Sequence, residues 1–405
     1  MYTFIADVFT AGGSGPFTGE FGNYMMPYNG LCKGFQAKTT SSLGAESYVV
    51  TLMKNGVATS VTVTLTGSSN EQEDQSNSFT FSKGDIITTR IQISGGTNRP
   101  VYWNITFESA AFNQSFMCAG GHLVISSTLV GPELLIQSPG QGIGSGATLS
   151  GSNSIFPTSG ILRNFYYKLG FAPGTRTSPN NVLNTQTLTV YKNGSPTTLT
   201  ASVSGLTNTI GSVDSNVSVS SGDTLHVLNE INYSPFTDQT VAWGVTFSPT
   251  VNGQSVSIGF KGNLAPSFSS VVASAFSIGG WIGGAIPVSV PRYVPFGFSV
   301  KKMMVDLNTA PGAGTSWDFD MTDGHGGADV TCTIADTETS CEWNGTYDFI
   351  DDFNNSVNYR ANRSGVTATS SHSKCSLLFY KPPRLRQNMF DFFDSSGGNS
   401  RGICR

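Results

Sequence analysis

One pattern recurs three times along this 405-residue chain, and it restricts the fold more than any other feature. An alternating apolar stretch runs into a turn at Lys54-Asn55-Gly56, and after a Ser/Thr-rich strand pair a second turn stands at Lys83-Gly84-Asp85. The same pattern returns at Lys192-Asn193-Gly194 and Ser221-Gly222-Asp223. The glycine spacing is identical in the two copies (84 − 56 = 28 and 222 − 194 = 28), and each closes on an aromatic-led strand, Trp103-Asn104-Ile105-Thr106-Phe107 or Trp243-Gly244-Val245-Thr246-Phe247. A third, diverged copy turns at Asp323-Gly324 and closes near Ser376-Leu377-Leu378-Phe379. Its lead-in, with Ala310-Pro311-Gly312, echoes Ala172-Pro173-Gly174. The first turns lie 138 and 130 residues apart (194 − 56 and 324 − 194), too far for a solenoid repeat, so each copy reads as a small domain.

Within each copy the period is two. Val61-Thr62-Val63-Thr64-Leu65 and Leu199-Thr200-Ala201-Ser202-Val203 alternate apolar and polar residues, as a sheet with one buried face requires. The Asn-Gly pairs supply the positive φ angles of tight hairpins, and no sustained helical spacing is present. The expected fold is all-β: three tandem antiparallel β-sandwich modules, jelly-roll-like, joined by packed Gly-rich connectors. A proline element, Pro27-Tyr28-Asn29-Gly30, Pro157-Thr158-Ser159-Gly160 or Pro295-Phe296-Gly297, opens each module. Four segments follow: an N-terminal strand and module one over 1-110, connector and module two over 111-250, connector and module three over 251-383, and an arm over 384-405. Asn113-Gln114-Ser115-Phe116 and Gly253-Gln254-Ser255-Val256 match each other and are expected to begin the connectors.

Only 12% of residues are charged, against roughly 25% in an ordinary soluble domain. Such a surface is either polar and uncharged or buried against neighbours, as in subunits of an assembly. A net charge of −4 without a basic stripe before the tail speaks against nucleic-acid binding. The long uncharged stretches 134–162 and 262–291 are broken by glycine, serine and proline, so they are expected to be buried strands plus linker, with no membrane span. The start, Met1-Tyr2-Thr3-Phe4-Ile5-Ala6-Asp7, has no basic or apolar signal region, so no cleaved export signal is expected.

Sites of chemistry are few. Asp318, Asp320, Asp323 and Asp329 form a weak calcium candidate, since alternating carboxylates can converge on one hard cation, but the glycine falls one position late and no glutamate closes the loop. The plainer reading turns Trp317, Phe319 and Met321 inward and the aspartates outward. The histidines His122, His226, His325 and His372 stand singly, without a second ligand at metal spacing. Asp348, Asp351 and Asp352 would serve a glycosidase only in a cleft that nothing in the sequence builds. Of six cysteines only Cys332 and Cys341 invite pairing, across a tight turn at Asp336-Thr337. No catalytic residue and no cofactor is expected. The tail gathers Arg384 and Arg386 with Phe390, Phe392 and Phe393, a mixture suited to docking on a neighbouring subunit.

The recurring sequence of Ala-Pro-Gly lead-in, Lys-Asn-Gly turn, Thr-rich strand, Ser-Gly-Asp turn and Trp-led closing strand resembles β-sandwich modules of virion structural proteins from DNA viruses, including tailed phages and large icosahedral viruses. The resemblance implies a non-enzymatic minor capsid, decoration or fibre subunit, located in the virion, whose partners are other capsid proteins or copies of itself. Module three departs from it, with Asp-Gly for Asn-Gly and Asp351-Asp352 where Gly-Asp would stand. The rival expectation is a fibre or adhesin that binds host surface glycans through exposed aromatic platforms, for which Trp281, Tyr166 and Tyr167 are the candidates.

Overall fold

The alternation read from the sequence becomes burial in the computed structural model. Val61, Val63 and Leu65 point into a core while Thr62 and Thr64 face out, and Leu199, Ala201 and Val203 repeat the arrangement. The structure describes residues 2–9, 17–39, 41–95, 99, 101–111, 113–120, 132–135, 154–174, 184–231, 241–264, 270–271, 292–293, 298–322, 329–349, 356–364 and 371–380. Among these every regular element is a strand, and none is a helix long and apolar enough to cross a membrane.

Eight strands come first: β1 (Tyr2–Phe9), β2 (Phe17–Met25), β3 (Gly30–Thr39), β4 (Gly44–Lys54), β5 (Val57–Gly67), β6 (Glu71–Phe81), β7 (Ile86–Ile93) and β8 (Val101–Ser109). They form two four-stranded sheets, β1-β8-β3-β6 and β2-β7-β4-β5, with every pairing antiparallel. Consecutive strands alternate between the sheets except at β4–β5, the one hairpin. This is the jelly-roll order. The hairpin pairs Lys54 with Val57 across Asn55 and Gly56, whose φ angles of 53° and 78° are those of a two-residue type I′ turn.

The order repeats. The second set is β9 (Ser115–Gly120), β10 (Pro132–Leu135), β11 (Ser154–Ile155), β12 (Gly160–Leu169), β13 (Thr185–Lys192), β14 (Ser195–Ser204), β15 (Ile210–Val213), β16 (Val217–Val219), β17 (Thr224–Ile231) and β18 (Val241–Pro249). Its sheets run β9-β18-β12-β15, with β16 also on β12, and β10-β17-β13-β14, with β11 also on β17. The third set is β19 (Gln254–Leu264), β20 (Ser270–Val271), β21 (Arg292–Tyr293), β22 (Phe298–Leu307), β23 (Gly312–Thr322), β24 (Val330–Asp336), β25 (Ser340–Phe349), β26 (Ser356–Ser364) and β27 (Ser371–Tyr380). Its sheets run β19-β27-β22-β25 and β20-β26-β23-β24, with β21 also on β26. The fold is three jelly rolls in tandem.

Two expectations change in detail. Ser115 and Phe116, and likewise Gln254, Ser255 and Val256, belong to the first strands of the second and third jelly rolls rather than to connectors. The Gly-rich stretches accordingly fall between β10 and β11 and between β20 and β21, the two pieces that share the second strand position of those jelly rolls, and the links between successive rolls are the short corners 110–114 and 250–253. Cys332 and Cys341 do form a disulfide, with Cα atoms 5.8 Å apart, but it spans β24 and β25, which lie in opposite sheets.

Each sandwich has its own apolar core. Trp103 lies in the first and Trp243 in the second, both on the buried face that alternation assigned them, and Trp317, Phe319 and Met321 fill the third.

Candidate interaction surface

The two recurring turns are parts of one clasp. In the first jelly roll Asn55 Nδ2 donates to Asp85 Oδ1 at 2.7 Å, and Ile86 N donates to Asn55 Oδ1 at 2.8 Å. In the second, Asn193 Nδ2 donates to Asp223 Oδ1 at 2.7 Å and Thr224 N to Asn193 Oδ1 at 2.8 Å. The carboxylates cap their own turns as well, through Ser82 N and Ser220 N, each at 2.8 Å from Oδ2. Burial pushes the Asp223 carboxyl up, but the hydrogen bonds from Asn193 and Ser220 and the Lys192 cation outweigh it and hold it below the ordinary value. The constant spacing of 28 is therefore the length of chain that returns the Gly-Asp turn to the side of the Asn-Gly turn.

The clasp holds a third loop. Met26 N donates to Asp85 O and Gly84 N donates to Met26 O, at 2.9 and 2.7 Å; Phe156 makes the same pair with Asp223 and Gly222, both at 2.8 Å. The proline elements found in the sequence are the continuation of these loops, at Pro27 and Pro157. What the clasp presents is thus a fixed edge, and that edge docks on the next jelly roll. Met25 and Ile86 form a buried apolar cluster with Ala242 of the second roll, and Tyr166 packs against it. Gly244 is required there: a Cβ at that position would lie 2.3 Å from the Met25 carbonyl oxygen. Thr246 Oγ1 donates to Pro27 O at 3.4 Å. Phe116 completes the seam by entering the first core, with ring centroids 5.4 Å from Tyr28 and 5.3 Å from Phe107.

The second and third rolls meet alike. Val256, matched to Phe116 in sequence, enters the second core together with Leu378. Lys302 Nζ donates to Ser221 Oγ at 3.1 Å and Thr158 Oγ1 to Gln254 Oε1 at 3.0 Å. Both seams are made of apolar contact and hydrogen bonds between groups that are mostly uncharged.

The remaining candidates are dispersed. Asp318 accepts from Thr333 Oγ1 at 2.7 Å, and Asp320, which alternates with the core residues Phe319 and Met321 but is itself covered, accepts from Asn362 Nδ2 at 2.6 Å. Asp329 hydrogen-bonds through its backbone to Met321, and Asp323 lies outside the described residues. Among the described residues no three potential metal ligands gather. Of the glycan-platform residues, Tyr167 is a core residue whose hydroxyl donates to Gln186 O at 2.7 Å, Tyr166 is occupied by the seam, and Trp281 lies outside the described residues. Arg384, Arg386, Phe390, Phe392 and Phe393 also lie outside them.

Apolar surface remains at one end of the second roll. Phe171 is 62% exposed, Leu206 69% and Ile210, at the start of β15, 42%, on segments tied together by the Gly174–Gly205 bridge and the Leu169 N to Thr209 O bond. The seams themselves escaped the sequence reading. Their signal was Gly244 in a strand rich in β-branched and aromatic residues, a place where another backbone comes close.

No protein-family model matches the chain, and no curated protein matches it. Among solved structures, a chain described under "The Triple Jelly Roll Fold and Turret Assembly in an Archaeal Virus" aligns over 93% of this chain and 90% of its own at 11% identity, with a TM-score of 0.18.

Proposed function

We propose that this protein is a non-enzymatic virion structural protein, a minor capsid or decoration subunit that acts through contacts with other capsid proteins or copies of itself. The observation that carries the reading is the construction of the seams. The chain uses its equally spaced turns to position edges that bury against neighbouring jelly rolls, so its distinctive residues serve contact between modules rather than a cleft. The low charge and the exposed Phe171, Leu206 and Ile210 extend the same habit to outside partners. In this reading the units 1-110, 111-250 and 251-383 are the building blocks and 384-405 is a docking arm. Mass spectrometry of gradient-purified virions tests it: the chain is expected at a fixed stoichiometry to the major capsid protein. Its recovery only from the soluble fraction of infected cells would overturn the assignment.

A further inference from the structure

The two seams are copies of one design, and the design predicts a third. At the first, the end of β2 lies on β9, β18 and β12, the first, last and third strand positions of the next roll. At the second, β11 lies on β19, β27 and β22, which hold the same positions. The strand equivalent to these in the third roll is β21, by register: Met25 pairs with Ile86, Ile155 with Thr224 and Tyr293 with Ser356, each opposite the first residue of β7, β17 or β26. Each of the three is followed by one residue and a proline, Met26-Pro27, Phe156-Pro157 or Val294-Pro295. Among the described residues β21 meets neither of the later strand sets in this way. It lies instead beside β8 and β1 of the first.

We propose that β21 closes the molecule by docking on the outer face of the β1-β8-β3-β6 sheet, so that the three jelly rolls form a head-to-tail ring with pseudo-threefold symmetry. Head-to-tail contacts make rings when the rotation closes and open rows when it does not. Burial favours closure. The outer face of β8 carries Tyr102, Asn104 and Thr106 and is as covered as that of β18, with Asn104 only 1% exposed. In β18 the corresponding Ala242, Gly244 and Thr246 are covered by the docked edge of the preceding roll.

The corners between rolls also converge. Asn113 Nδ2 donates to Pro249 O at 2.9 Å, Gly253 N donates to Asn113 Oδ1 at 3.1 Å, and a Cβ on Gly253 would meet the ring of Tyr380 at 2.3 Å. The ends of β8, β18 and β27 thus gather in one place, as strands around an axis do.

The faces are not interchangeable. The second roll offers Tyr166, Ala242 and Gly244 to Met25. The first carries a polar network, with Asn104 Nδ2 donating to Gln36 Oε1 at 2.8 Å and Gln36 Nε2 to Glu73 Oε2 at 3.1 Å.

The inference does not rest on the virion reading, and its test involves no particle. Small-angle scattering of the full chain should give a radius of gyration near the compact value, about 22 Å for this length; a clearly larger value with an elongated profile would mean an open row. Hydrogen exchange then locates the seam. Asn104→Arg should speed exchange at least tenfold in peptides covering Arg292–Tyr293 and leave those covering Met25 unchanged, while Gly244→Arg should do the reverse. Unchanged exchange at Arg292–Tyr293 with the first core still protected would overturn the proposal. If Asn104→Arg instead exposes Val50 and Leu52, that variant has unfolded its module, and the scattering of the unmodified protein decides.

Discussion

At the scale of single residues, His226 is the group whose burial has a measurable consequence. It is 3% exposed and stacks on Tyr191 with ring centroids 4.8 Å apart, and neither ring nitrogen meets a hydrogen-bond partner among the described residues. Burial therefore pushes its pKa below the ordinary 6.5. A histidine with a depressed folded-state pKa binds its proton more readily when unfolded, so its contribution to stability is intact above about pH 6.5 and is lost as the pH falls from there through the folded value. Thermal unfolding of the second roll should show a decline as the pH falls below about 6.5 that His226→Gln flattens. Identical pH profiles for the two proteins would show that the imidazole is charged or solvated in the fold. The first roll has Thr88 at the corresponding position of β7 and provides an internal reference without this titration.

At the scale of elements, the clasp makes a turn and a docking edge interdependent. Asn193→Ala removes the two short hydrogen bonds, each worth about 0.5 to 1.5 kcal/mol, along with a longer one from Thr224 Oγ1, and places a Cβ-bearing residue without a compensating side chain at a φ of 50°, for a total cost of about 2 to 3 kcal/mol. The cost of Asp223→Ala should not add to it, because both deletions break the same contact; a coupling of about 1 kcal/mol or more is expected in a double-mutant cycle of thermal or denaturant unfolding. Strict additivity would separate the two turns. Much of this scale was legible in advance. Period-two alternation located the strands, and Asn-Gly located the hairpins, because both follow from local backbone geometry. The closure of the clasp and the opposite-sheet disulfide were not legible, since each depends on which sheet a strand joins, and alternation is blind to that choice. The same blindness turned Ser115-Phe116 and Ser255-Val256 into linkers: a strand whose first apolar residue fills the preceding roll's core is not assigned to the roll it opens.

For the whole molecule, repetition in sequence foretold repetition of fold, while the seams stayed hidden because a residue such as Tyr166 reads as exposed until a neighbouring roll covers it. The same principle bears on outside partners. With 12% charged residues, few ion pairs are available to hold the protein in a larger assembly, and exposed pairs contribute only about 0 to 1 kcal/mol each. The seams already described bury Met25, Ile86, Ala242, Val256 and Leu378, so the contacts visible within the chain are mainly apolar. Apolar burial strengthens in kosmotropic salt, whereas surface ion pairs are screened, so the two mechanisms respond in opposite directions. Particles containing this protein should retain it through washes in concentrated ammonium sulfate and in NaCl. They should lose it when the segment after Lys381, with Phe390, Phe392 and Phe393, is deleted, provided the truncated chain keeps the thermal transition of the parent. Release by moderate NaCl would assign the interface to charge. Normal incorporation of a folded, truncated chain would move it from the arm to the sandwich surfaces, where Phe171 and Leu206 stand exposed.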